Sequence, residues 1–310
     1  MNYKSIAAIA ALACSTGALA QAVGFATLPP GSLNHTTASA VSKVLKERAG
    51  INMLVQPTAG DNVIIPMVNR GESTMGIANA PETAMAMKEA KQADVRLLAV
   101  AHTLQTAFFV RKDSRFRTIA DMKNARVELG YSAMRTIDLL TRAILATAGL
   151  SERDVKAVLV PNVVRGADDF ASGASDMFFF AFGGPKVREI DSSIPLRVLE
   201  IDEKGMAAAR KITPYGFLTS VQPGPIYIGV EKPMKVYSFD NLLLTNAKVP
   251  DDMVYKILDT LEKNKSDLVA VQPVLRAFSA ANGYKRYDMP YHPGALKYYK
   301  EHNIQAKPLE

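Results

Sequence analysis

Short apolar runs and amphipathic stretches alternate along most of the chain. Residues 23–27 form an apolar run that ends in the loop Leu28-Pro29-Pro30-Gly31-Ser32. Beyond it Ala38, Val41, Val44 and Leu45 recur at helical spacing, with Lys43, Lys46 and Glu47 on the other side. Residues 51–56 read as a second strand, and 57–62 as a turn-rich loop. Residues 75–78 and 96–101 are strand-like, with an alanine-rich helix around 82–91 between them. A repeated strand-loop-helix unit predicts an α/β fold with mostly parallel sheets flanked by helices.

A second set of units begins near residue 107. Phe108-Phe109-Val110 precedes Thr118-Ile119-Ala120-Asp121, a capping-box-like helix start. A strand at 127–129 leads into the loop 130–136 and then a helix carrying Ile137, Leu140, Ile144 and Ala148, closed by Gly149. Further strands are expected at 157–160, 177–181 and 196–200. In the C-terminal third, 226–230 and 241–245 are strand-like. Pro250-Asp251-Asp252 then opens an amphipathic helix with Met253, Val254, Ile257, Leu258 and Leu261 on one side. Two similar blocks and a returning tail predict two lobes with a cleft between them: 21–106 plus 215–310, and 107–214.

Residues 1–20 have the pattern of a signal peptide. Lys4 supplies the positive charge, 6–13 the apolar stretch, and Ala18-Leu19-Ala20 the cleavage pattern, so a periplasmic protein beginning at Gln21 is expected. Leu12 lies one position off lipoprotein spacing for Cys14. With 310 residues, 48% apolar and 22% charged, the chain can bury a substantial core. Its single cysteine is Cys14, which excludes a disulfide framework, a cysteine-ligated zinc and a cysteine nucleophile in the mature body. No apolar run of membrane-spanning length follows the signal. The 37 basic and 30 acidic residues give +7, but the cations are interspersed with acids, as Lys256 and Lys263 are with Asp259 and Glu262. A solvated surface explains that pattern, and no nucleic-acid partner is expected.

In such a sheet the ligand lies off the carboxyl ends of the strands. Three loops there lead into helices: 27–35, 58–62 and 130–136. Free N–H groups at helix starts favour a carboxylate. Thr27 and Gly60 lie in these loops, Thr58, Ser132 and Thr136 offer hydroxyls, and Arg135 could pair with an acid. His35 could donate to a ligand or simply tie down its loop. Of the aromatic run 178–182, Phe182 is the ring expected at the cleft, the others packing the strand. His102, His292 and His302 lack partners at metal spacing, and neither a Gly-x-Ser-x-Gly elbow nor a phosphate-binding loop is present. We expect no metal, no cofactor and no catalysis.

The segment Tyr291-His292-Pro293-Gly294-Ala295-Leu296-Lys297-Tyr298-Tyr299-Lys300-Glu301 is similar to the C-terminal signature of the TAXI-type solute-binding proteins of TRAP transporters. Gly71-Glu72-Ser73-Thr74-Met75-Gly76-Ile77, Ser172-Gly173-Ala174-Ser175-Asp176 with Gly183-Gly184-Pro185, and Pro223-Gly224-Pro225-Ile226-Tyr227 extend the resemblance over essentially the whole mature chain. It implies the two-lobed type II periplasmic binding-protein fold, with Asn34, Asn79, Gly183 and Tyr227 added to the candidate ligand contacts. Two stretches depart from the family. Asn34 and His35 stand where paired tyrosines are usual, and Ala133-Met134-Arg135-Thr136 replaces Gly-Ser-Gly-Thr. The resulting expectation is a monomer that captures a small organic anion, a carboxylate, for a TRAP-type permease. The alternatives are presentation of a ligand to a membrane sensor kinase, and a secreted enzyme on the same fold.

Overall fold

The computed structural model describes residues 23–89, 91–213 and 215–309. The signal pattern and Cys14 lie outside the described residues. The chain runs β1 (Val23–Thr27), α1 (Leu33–Ala49), β2 (Met53–Pro57), α2 (Asp61–Arg70), β3 (Met75–Asn79), α3 (Ala80–Glu89) and β4 (Val95–Arg111). It continues through β5 (Arg126–Leu129), α4 (Arg135–Thr147), β6 (Lys156–Leu159), α5 (Val163–Ala171), β7 (Phe178–Ala181), α6 (Pro185–Asp191), β8 (Leu196–Val198) and α7 (Met206–Ile212). The return comprises β9 (Phe217–Val221), β10 (Met234–Asn246), α8 (Asp251–Lys263), α9 (Lys265–Val271), α10 (Ala280–Gly283) and α11 (Pro293–Glu301).

Helix boundaries follow local chemistry. The Ser32 side chain caps α1 by accepting from His35 N at 3.1 Å, and Gly50 ends that helix at φ 69°. The Asn162 side chain caps α5, accepting from Val164 N and Arg165 N at 3.1 and 3.0 Å. We expect Asn162→Ala to cost about 1 kcal/mol. A urea midpoint within error of the wild type would refute that capping role.

The large sheet has the order β2-β1-β3-β10-β4-β7, with β8 on β4 and β9 on β10, while β5 and β6 form a small sheet of their own. The expected parallel pairing is found in β1–β2, β1–β3 and β5–β6. The sheet as a whole is mixed, because two long strands run against their neighbours. β10 is antiparallel to β3, β4 and β9, and β4 to β7 and β8. β4 has 17 residues and β10 has 13, nearly all buried, so their sequences carry little alternation. They pair with each other and carry the chain from the β1–β3 side across to β7 and β8. The strand expected at 226–230 is instead a series of turns. Pro223 and Pro225 have no N–H to give a ladder, and Gly229 sits at φ 80°.

The aromatic run packs as strand core, with Phe109 stacked on Phe178 at 5.1 Å and edge-on to Phe182 at 5.3 Å. The C-terminal motif stitches the tail to β4. Leu97 N donates to Pro290 O, and His292 N donates back to Leu97 O. Tyr299 OH donates to Leu98 O at 2.6 Å. At Gly294 a side chain would stand 2.2 Å from Asp251 O, so glycine there lets α11 approach α8.

Candidate functional site

A cavity of about 40 Å³ lies beyond the C-terminal ends of β1 and β3. On one side it is lined by Leu28, Ser32, Leu33, Asn34, Asp61 and Asn79, and on the other by Met134, Ile137, Val163, Phe179 and Phe180. Leu104, Thr106 and Phe239, from the two long strands, also line it. The lining is mostly apolar and contains no cation. By the space one water needs, it holds roughly three.

The three loops expected at the site converge around this cavity. Gly60, just before α2, lies against the carbonyl of Ala133, where a Cβ would stand 1.7 Å from the oxygen. Its backbone is extended, at φ 179°, so close approach rather than conformation selects glycine. Asn62 Nδ2 donates to Ser132 O at 3.4 Å, and Lys186 N donates to Gly31 O at 3.1 Å. At the start of α4, Thr136 N donates to Glu82 Oε2 at 2.9 Å, and the Thr136 hydroxyl donates to the same oxygen. The helix start that looked free for a ligand carboxylate is thus occupied by a carboxylate of the chain itself.

Two buried acids dominate the electrostatics. Asp61 is 1% exposed and Glu82 is 6% exposed. Burial first, and then the charge of Glu82, push Asp61 up to about 8, against the hydrogen bond from Asn79 Nδ2 to its Oδ2 at 2.5 Å. Asp61 Oδ1 is buried without a hydrogen-bond partner, as is the Thr27 hydroxyl at the end of β1. Asn79 also accepts from Glu82 N at 2.8 Å, capping α3. Behind Asn34 the network is neutral. Asn34 and Asn241 exchange amide hydrogen bonds, Asn241 Nδ2 approaches His102 Nε2 at 3.4 Å, and burial pushes His102 down to about 4.

The sequence-selected residues therefore fall into groups. Asn34 and Asn79 are on the cavity wall, while Gly60 and Thr136 make the contacts that close it. Thr58 shapes its own loop, its hydroxyl donating to Gly60 O at 3.2 Å, and Ser132 is exposed. Arg135 lies outside the lining, its side chain 67% exposed and 3.9 Å from Glu89. His35 is also off the lining; partial burial lowers its pKa. Phe182 and Tyr227 line an open groove of about 580 Å³ that shares Leu33 with the cavity, with ring centroids 5.4 Å apart and Tyr227 OH donating to Gln105 Oε1 at 2.8 Å. Gly183, at φ 79°, packs against Val274 and Ile226 beside that groove. Phe179 and Phe180, expected only to pack the strand, also face the cavity.

Sequence reasoning missed Asp61, Glu82 and Met134. A usable signal existed for the acids. Asp61 opens a helix after a glycine, and Asn79 with Glu82 three residues on is a helix-start pattern. Among the described residues no cluster of His, Cys, Asp or Glu could hold a metal, and no helix is long and apolar enough to cross a membrane.

The mixed sheet, its flanking helices and the cavity at the strand ends are the architecture of type II periplasmic binding proteins. Solved structures of similar fold include PhnD1 from Prochlorococcus marinus in complex with methylphosphonate, at TM-score 0.56 and 11% identity, covering 92% of this chain and 99% of that one. A periplasmic transporter structure aligns at TM-score 0.58 and 13% identity, over 91% and 92% of the two chains. The ligand-binding component of an ABC-type import system from Staphylococcus aureus aligns at 0.53 and 9% identity, over 93% and 94%. Residues 25–302 match the NMT1-like family, and the chain belongs to it.

Proposed function

We propose that this is an exported, non-enzymatic solute-binding protein that closes two lobes, 21–106 plus 215–310 and 107–214, around a small molecule and delivers it to a membrane transporter. The observation that carries this reading is the cavity between facing strand-to-helix loops, with Gly60 against Ala133 and Thr136 on Glu82 as latches. A cleft built from polar latches and an apolar lining suits hinge closure, which excludes water from the bound solute. The TAXI-like C-terminal segment favours a TRAP-type permease as receiver; the Staphylococcus aureus protein of similar fold is a component of an ABC-type import system, which makes that transporter class the second reading. The organic acid expected from the sequence meets helix starts here but also two buried carboxylates, so the charge of the solute needs its own test.

Native mass spectrometry of the purified full chain, followed by thermal-shift screening of small acids, phosphonates, amines and neutral solutes, tests the binding reading. A stoichiometric small molecule or a saturable stabilisation is expected. A chain that carries nothing and responds to none of these classes would remove it.

A further inference from the structure

We infer that the solute of this cavity is a small amine, whose ammonium group pairs with Asp61 while its apolar body fills the remaining space. The inference rests on the solute-binding reading above and names the chemistry of that same site. Asp61 lines the cavity, is almost fully buried, and has one carboxylate oxygen, Oδ1, without a partner. Its other oxygen takes the amide of Asn79, which fixes the orientation of the group. A buried carboxyl oxygen without a partner is costly, and an ammonium that displaces the carboxyl proton supplies the N–H that completes it.

The surroundings decide the sign of the ligand's charge. Every element bordering the cavity contributes neutral or apolar groups apart from the acids. α1 and the turn before it give Ser32, Asn34 and apolar carbons, and β3 gives Asn79. β4 gives Thr106 and Leu104, and the wall from α4, α5, β7 and β10 is apolar. Glu82 on α3 accepts two hydrogen bonds from Thr136 and adds negative potential at Asp61. The guanidinium that could have neutralised an anion, Arg135, is in solvent beside Glu89. An anion brought into this space would face Glu82 at low dielectric with no counter-charge, whereas an ammonium is attracted by both acids. Burial and Glu82 hold Asp61 largely protonated at neutral pH when the site is empty. An ammonium reverses that preference, so its binding expels a proton from Asp61.

The test compares butylammonium, butyrate and butanol by calorimetry and thermal shift on the full chain. Butylammonium should bind at least tenfold tighter than either of the others, and Asp61→Asn should weaken it at least thirtyfold. If that variant does not fold, the wild type alone gives a second measurement. Butylammonium titrated at pH 6.5 in phosphate and in PIPES, whose ionisation enthalpies differ, should release close to one proton per ligand bound, a value butanol should not show. If butyrate or methylphosphonate binds and butylammonium does not, or if butylammonium binds without proton release, the amine inference is overturned while the solute-binding reading stands. If no probe of any charge binds and the protein carries no co-purified molecule, both are overturned.

Discussion

Gly60→Ala should leave the chain folded yet weaken capture of any solute that needs the closed cleft. The substitution adds one methyl group, but that methyl would sit 1.7 Å from Ala133 O and 2.6 Å from Ala133 C. Both atoms are backbone, so no side chain can swing aside. Gly60 and Ala133 stand on facing loops, 58–62 and 130–136, so the hinge opening proposed above would relieve the clash. Overpacking of this kind costs about 1–3 kcal/mol, here set entirely against closure, which translates to roughly five- to 150-fold in affinity. Gly224→Ala is the matched control, because its methyl would meet only Gln222 O at 3.9 Å. Calorimetry should show the affinity loss for Gly60→Ala alone. Small-angle scattering should show this variant staying expanded at solute concentrations that compact the wild type. An unchanged affinity with unchanged compaction would mean that the Gly60–Ala133 contact does not gate the site.

That contact also shows what a sequence read alone can and cannot contain. The strand-loop-helix rhythm and the three loops at the strand ends were legible, because hydrophobic spacing and Gly, Pro and Ser at turns are local properties. The long strands were not. β4 is buried along most of its 17 residues, so only 96–101 read as a strand, and Phe108-Phe109-Val110 read as the start of a second set of units. Sequence proximity also misled at 226–230, where apolar Ile226 and Val230 suggested a strand that Pro223, Pro225 and Gly229 prevent. The polarity of the site was hidden for a different reason. Asp61 and Glu82 look like ordinary acids in first helical turns, where they suit the helix dipole. Only contacts 54 residues apart, Glu82 with Thr136, reveal that the site has already filled its helix start. Arg135 illustrates the converse. It was chosen for its chemistry, but the first turn of α4 points it to solvent.

A buried acid away from the cavity, Glu128, should make the stability of the chain depend strongly on pH. Glu128 in β5 is 0% exposed and is pushed up to about 8, chiefly by desolvation. Ser175 Oγ donates to its Oε1 at 2.9 Å and Tyr131 OH to its Oε2 at 3.2 Å, which only partly offset that cost. No water can be drawn in on the α5 side, since a Cβ at Gly166 would already stand 2.2 Å from Glu128 Oε2. For an acid whose folded pKa is raised, the folded state holds its proton more tightly than the unfolded state. The stabilisation is therefore complete below the unfolded value of 4.5 and is lost progressively as pH rises to about 8. Asp61 acts in the same direction, from 3.8 to about 8. The ligand-free protein should lose stability between pH 5 and pH 8, where carboxylates in ion pairs would have the opposite effect. Glu128→Gln keeps the size of the group and cannot ionise, so it should gain roughly 2–4 kcal/mol at pH 8 over the wild type. At pH 4.5, where the wild-type group is already neutral, the gain should vanish or turn into a loss of about 1 kcal/mol, because an amide matches two hydroxyl donors less well. Urea titrations of both proteins at pH 4.5, 6 and 8 read this directly. Equal differences at all three values would show that Glu128 does not titrate across the folding transition.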